Sequence, residues 1–492
     1  LVREVSAFRA AIFGAASAPV GLFVIYSLPL LAVFAGSQPW PIYVAIVISL
    51  IGSVPNLINY ATLSAAMPRS GGDYVFATRL VRPDVGFATN VSLAVSQMLG
   101  LAAYAALAVP TIISPLLSIL GQFVSSTGIT SAGTDITSTG WVVALAGLLL
   151  LSVGIPLIRG TDFALKINTV LWLVGMASVT IMAVALLVTS QHSFVGKFNA
   201  EAGSAHAYAN VIATARASGF STMSSASMIW PLVAVMVPSV GWCFWMTYIG
   251  GEVRRAGAFK RQMQMMFYPL LVSAVGLLTL AFGVIKTFGY HFMISYFYLV
   301  LNDPSKLPHD VASGGPIFLA GLVMGGNWLA ALFVITFLAW VWPSLVIGVL
   351  MPVRATIAWS MDLVFPESIT RVSPRLHTPV RATVLIVLIM FGIVIYSTGT
   401  DVVVKLYAVS IVQAAICSWG ITGVAAIMFR RKMPELYAQQ PIARYGPLLK
   451  ICGALSILYT LGWSAAYYKY HNQFGMTTWV TVFFVALWVA AY

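Results

Sequence analysis

The sequence predicts an all-α fold of about twelve membrane-crossing helices, and three observations predict it. Only 8% of the 492 residues are charged while 60% are hydrophobic, and the mean hydropathy is +0.93. Soluble domains carry about 25% charged residues, so this chain cannot cover its surface in water and takes lipid as its main solvent. The apolar residues gather into runs that match the roughly 20 residues a helix needs to cross hydrocarbon. Finally, Lys and Arg are divided unevenly between alternate loops.

The runs lie at 10–35, 42–66, 85–115, 141–158, 166–189, 231–252, 263–289, 328–362, 380–398, 402–430, 447–469 and 474–492. They read as helices because no backbone group can stay unpaired in lipid, and the residues do not alternate as barrel strands do. The first run reads as a retained span, since it lacks the pattern of a cleaved leader. The eighth exceeds a single crossing, so its C-terminal part is expected to project from the membrane. Loops at 121–140, 190–230 and 290–316 hold no soluble domain; a small-residue stretch at 202–227 suits a surface helix. Residues 1–492 thus read as one membrane domain.

With these spans, six of the 26 basic residues (Lys197, Arg216, Lys286, Lys306, Lys405 and Lys469) fall on one side and the other twenty on the side of the N-terminus. By the positive-inside rule the N-terminus is cytoplasmic, in a multi-pass protein of the cell membrane. The net charge of +13 is therefore topological and does not indicate nucleic acid. Cys243, Cys417 and Cys452 have no CxxC spacing and imply neither disulfides nor a metal centre. No cofactor is expected. There is no phosphate loop, HExxH or GxSxG, and no paired carboxylates lie inside the core, so enzymatic chemistry is not expected.

Two spans stand apart. The first contains Gly14, Ala15, Ala16, Ser17, Ala18, Pro19, Val20 and Gly21; the sixth contains Val237, Pro238, Ser239, Val240, Gly241 and Trp242. Pro removes a helical hydrogen bond and Gly weakens the helix. Breaks at corresponding places in two halves mark the site of a secondary transporter, although simple kinks would leave the same residues. A broken helix offers N–H groups to a carboxylate and C=O groups to a cation, so it can hold a zwitterion without a charged side chain. All thirteen Asp and Glu residues lie in loops or near span ends, which leaves a neutral core suited to a solute of balanced charge.

Several segments, in order along the chain, resemble the amino acid–polyamine–organocation superfamily of permeases. Pro68-Arg69-Ser70-Gly71-Gly72-Asp73-Tyr74 resembles its P-x-x-G-G-x-Y signature. Gly241-Trp242 with Gly250-Gly251-Glu252 resembles its helix 6 and following loop. Arg354, Asp362 to Pro366 and His377-Thr378-Pro379 resemble its helix 8 exit and helix 9 entry, and Arg430-Arg431-Lys432-Met433-Pro434 its loop after helix 10. The resemblance implies a LeuT-like fold. Inverted repeats would occupy 10–189 and 231–430, with peripheral helices at 447–492. It also implies alternating-access transport of amino acids, amines or related solutes, with H⁺ or Na⁺ as coupling ion or by exchange. By the same resemblance Ser344 lies near a sodium position. Gly175 stands where some members carry a helix 5 lysine, Val237 where some carry an aromatic gate, and Cys243 where an acidic residue is frequent.

Other residues admit two readings. Ser96, Gln97 and Tyr104 either line the pathway or hydrogen-bond between helices; Trp242 and Trp245 either close over a solute or pack. Glu252 with Arg254 and Arg255 forms a charge lock or a solvated helix end. The expected partners are a small-molecule substrate and membrane lipid. Nucleobases or other organic solutes are the alternative cargo, and a lipid-modifying enzyme or a non-transporting subunit the alternative classes.

Overall fold

The computed structural model describes residues 4–17, 20–22, 27–34, 36–222, 224–307, 315–325, 328–398, 400, 402–474, 476 and 478–492. Among them, ten helices are long and apolar enough to cross a membrane. The interrupted first segment and the last helix, Thr478–Ala491, bring the number of spans to about twelve. Spans 6 and 8 are the most enclosed, with 94% and 83% of their apolar windows buried, against 33% for span 5. These figures place spans 6 and 8 at the centre, while span 5 turns Val170, Leu173 and Val184 outward to lipid.

Regular helix is interrupted within several spans. Span 3, 83–123, carries a π-turn at Val109–Ile113 around Pro110, and span 10 carries another at Ile416–Gly420. Span 8 departs from the sequence expectation. It is two helices end to end, Trp328–Leu338 and Val341–Met361, joined by a turn at Ala339 and Trp340. In its C-terminal helix every residue from Val341 to Ser360 is buried. The joining residues are apolar, so no polar punctuation marks the turn in the sequence. Outside the spans, helices Thr127–Asp135, Gln191–Glu201, Ala207–Ala217 and Tyr290–Asn302 cover the side opposite the N-terminus.

Candidate functional site

Span 1 begins as helix Ala7–Ala16, capped by Ser6, and stops at Ser17. The Ser17 hydroxyl donates to the carbonyls of Gly14 (2.7 Å) and Phe13 (3.2 Å), and its N–H donates to Gly14 as well (3.2 Å), so that Ser17 caps the helix end at the break. The chain resumes as Val20–Leu22. Span 6 is α-helical over Ile229–Val240 and continues, after Gly241 and Trp242, as a 3₁₀ helix, Cys243–Ile249. Pro238 cannot bond the Ala234 carbonyl, which instead accepts from the Tyr467 hydroxyl at 3.4 Å; neighbouring helices commonly supply such replacement partners in membranes. The two interruptions touch backbone to backbone. A β-carbon on Gly14 would lie 2.5 Å from the Cys243 carbonyl oxygen.

Beside this crossing lies a cavity of about 130 Å³. Span 1 contributes Ala16, Ser17, Ser27 and Leu30; span 6 contributes Val235, Pro238, Ser239, Trp242 and Trp245. Gln97, Gly100, Leu101 and Tyr104 come from span 3, Ser344 and Ile347 from span 8, Ser410, Ile411 and Ala414 from span 10, and Tyr467 from span 11. Among the described residues its wall contains hydroxyls, one amide and aromatic rings, and no charged side chain. Trp242 and Trp245 stack with centroids 5.8 Å apart, and Trp242 also abuts Trp419 at 5.0 Å. The aromatic edge of the cavity is thus braced from span 10.

The charged groups sit below the cavity, on the side of the N-terminus. Glu252 is buried and pairs with Arg354 of span 8 (Nε–Oε1 2.7 Å, Nη2–Oε2 3.1 Å), whose Nη2 also donates to Thr161 at the start of span 5. Glu252 therefore pairs across the bundle, while Arg254 and Arg255 lie outside this contact. Val5 exchanges backbone hydrogen bonds with Glu252 and Arg254, each 3.0 Å, and Arg9 pairs with Asp162. The loop after span 2 docks here too. Gly72 has φ +50°, and a β-carbon on it would strike the Tyr248 ring at 2.6 Å. Only glycine serves at such a left-handed, close-packed position.

Of the residues singled out in the sequence, Ala16, Ser17, Pro238, Ser239 and Trp242 line the cavity. Gly14 and Gly241 sit at contacts instead, Gly14 on Cys243 and Gly241 on Trp419. Ala15, Val237 and Val240 are buried beside the breaks, and Val20 packs on Gly276. Gly21 and Gly175 both abut the indole of Trp340, whose N–H donates to Ser178 at 3.2 Å. Ser96 is buried and donates within its own helix to the Leu93 carbonyl at 2.8 Å, whereas Gln97 and Tyr104 reach the cavity. Ser344 lines the wall, with its hydroxyl 3.5 Å from the Trp340 carbonyl. Ala18 and Pro19 lie outside the described residues. Sequence reasoning missed Ser27, Leu30, Gly100, Leu101, Val235, Ile347, Ser410, Ile411, Ala414 and Tyr467. Spans 3 and 10 meet closely here: a β-carbon on Gly100 would lie 2.3 Å from the Ser410 hydroxyl.

Two interrupted helices crossing beside a neutral cavity, in a bundle of about twelve spans, define a secondary transporter. A family model described as amino acid permease matches residues 6–491, and the chain belongs to that family. Among solved structures, MhsT in complex with L-phenylalanine is similar over 95% of this chain and 99% of that one, with 14% sequence identity and a TM-score of 0.57. No curated protein matches the chain. The fold is therefore LeuT-like, with a five-plus-five inverted repeat, broken spans 1 and 6, and two peripheral helices. The protein is a multi-pass membrane transporter of a small molecule and not an enzyme.

Proposed function

We propose that this protein carries amino acids or related small organic solutes by alternating access, and that the 130 Å³ cavity holds the cargo. The observation that supports this reading is the crossing of Gly14 on Cys243 beside a wall without charged side chains. A zwitterion there meets helix ends and hydroxyls, which suit both of its charges, and its apolar part meets Trp242 and Trp245. The excess of basic residues in the loops on the N-terminal side supports placing that side in the cytoplasm, and the membrane as the cell's own.

For coupling, the Trp340 indole by its position supports a reading without Na⁺ near Ser344. It fills the space between Gly21, Gly175 and Ser178, and it presents an N–H donor where a hard cation wants oxygen ligands. Purified protein in liposomes should exchange at least one labelled member of a panel of common L-amino acids and amines. The rate should be the same when Na⁺ is replaced by choline. Exchange of nucleobases alone would move the cargo to the alternative class, and no exchange of any solute would refute the carrier reading.

A further inference from the structure

Asp73 opens the short helix Asp73–Leu80 between spans 2 and 3, and it is 1% exposed. None of the ion pairs among the described residues involves it. Its partners are hydroxyls from three different spans. Tyr60 of span 2 donates to Oδ1, as does Thr422 of span 10 at 3.0 Å; Tyr248, on the 3₁₀ part of span 6, donates to Oδ2 at 3.0 Å. Tyr248 in turn accepts from Asn90 of span 3 (2.8 Å), which accepts from Trp359 of span 8 (2.9 Å). The titratable groups facing the carboxyl are thus Tyr60, Tyr248 and, from span 10, Cys417; spans 3 and 8 present neutral Asn90 and Trp359.

A buried carboxyl held by hydroxyls and by no cation among the described residues can take up a proton without stranding a partner charge. With a proton on Oδ2, both bonds to Oδ1 survive and the Tyr248 oxygen becomes the acceptor, at the cost of its own O–H bond to the carboxyl. Burial lifts this carboxyl from 3.8 to about 6, against the pull of Tyr60, Thr422 and Tyr248. If span 6 draws away and water enters, that lift is lost and the affinity for a proton falls. The closed arrangement is therefore favoured fully below 3.8, and that advantage disappears as pH rises through about 6. The cavity connects to this group through one 3₁₀ turn. Trp245 lines the cavity, Tyr248 follows three residues later on the same face, and their rings lie 5.7 Å apart.

We propose that Asp73 is the proton-binding site of this carrier, holding H⁺ while the N-terminal side is closed and releasing it to water when the Tyr248 segment withdraws. On release the Oδ2–H bond breaks and water takes the proton. Cargo seated on Trp245 and a proton on Asp73 act on the same segment, so the two move together. This inference rests on the carrier reading above.

The test uses the full chain in liposomes with a lumenal pH dye, the same amino-acid panel, and the variants Asp73→Asn and Tyr248→Phe. Wild type should acidify the lumen during net uptake, into empty liposomes, of every amino acid it exchanges. Asp73→Asn mimics the neutral acid and should still exchange while losing proton movement. Tyr248→Phe removes one donor from the anion and should shift the pH midpoint of uptake upward. Wild-type net uptake without proton flux, Asp73→Asn acidification equal to wild type, or an unmoved Tyr248→Phe midpoint would each overturn the assignment. A wild type that exchanges nothing in the panel refutes the carrier reading instead. Infrared titration then judges the carboxyl independently: a protonated-carboxyl band with a midpoint near 6 should vanish in Asp73→Asn, and its persistence would overturn the assignment.

Discussion

Arg354→Met should destabilise the purified protein by about 3–5 kcal/mol, the usual cost of breaking a buried ion pair from one side. The substitution leaves Glu252, with a 6% exposed side chain, as an unpaired carboxylate between spans 5, 6 and 8. The double variant Glu252→Met/Arg354→Met should recover most of that loss, because removing both charges also removes both desolvation penalties. Thermal unfolding in detergent measures each protein. Equal stability of the single variant and wild type would show that water reaches the pair. A double variant no better than the single would show that shape, not charge, matters there.

Gly14→Ala is expected to abolish exchange. Its β-carbon would sit 2.5 Å from a backbone oxygen of Cys243, and neither partner has a flexible end that can swing away. Spans 1 and 6 must separate, at an overpacking cost of about 1–3 kcal/mol, partly offset by the roughly 1 kcal/mol helix preference of Ala over Gly. Gly392→Ala, in a helix where an added β-carbon meets nothing within 4 Å, is the control and should exchange normally. Unaltered exchange in a folded Gly14→Ala protein would remove the crossing from the transport cycle.

The fold was legible because lipid imposes a simple code: long apolar runs, basic loops on one side, and Pro or Gly where a helix is interrupted. Ser17, Pro238 and Trp242 were found by that code, since a break leaves a compositional mark. The opposing wall leaves none. Ser410 and Tyr467 lie in ordinary apolar helices, and only their rotation brings them to the cavity. The turn at Ala339 and Trp340 was invisible for a related reason, being as apolar as the helices it joins. Charge location was read correctly and charge environment was not. Asp73 and Glu252 lie near span ends, as expected, yet both are buried among side chains of neighbouring spans. Sequence position gives depth along the membrane normal but says little about what covers a residue from the side.

The first two residues of span 5 hold separate clasps. Thr161 receives Arg354, which carries Glu252, and its neighbour Asp162 receives Arg9 of span 1. Fasteners that share an anchorage cannot be undone one at a time. A small displacement of that anchorage slackens both, and a tug on either is felt by the other. Movements of spans 1 and 6 are thereby yoked at this end of the protein, so half-open forms with only one of them swung out should be scarce.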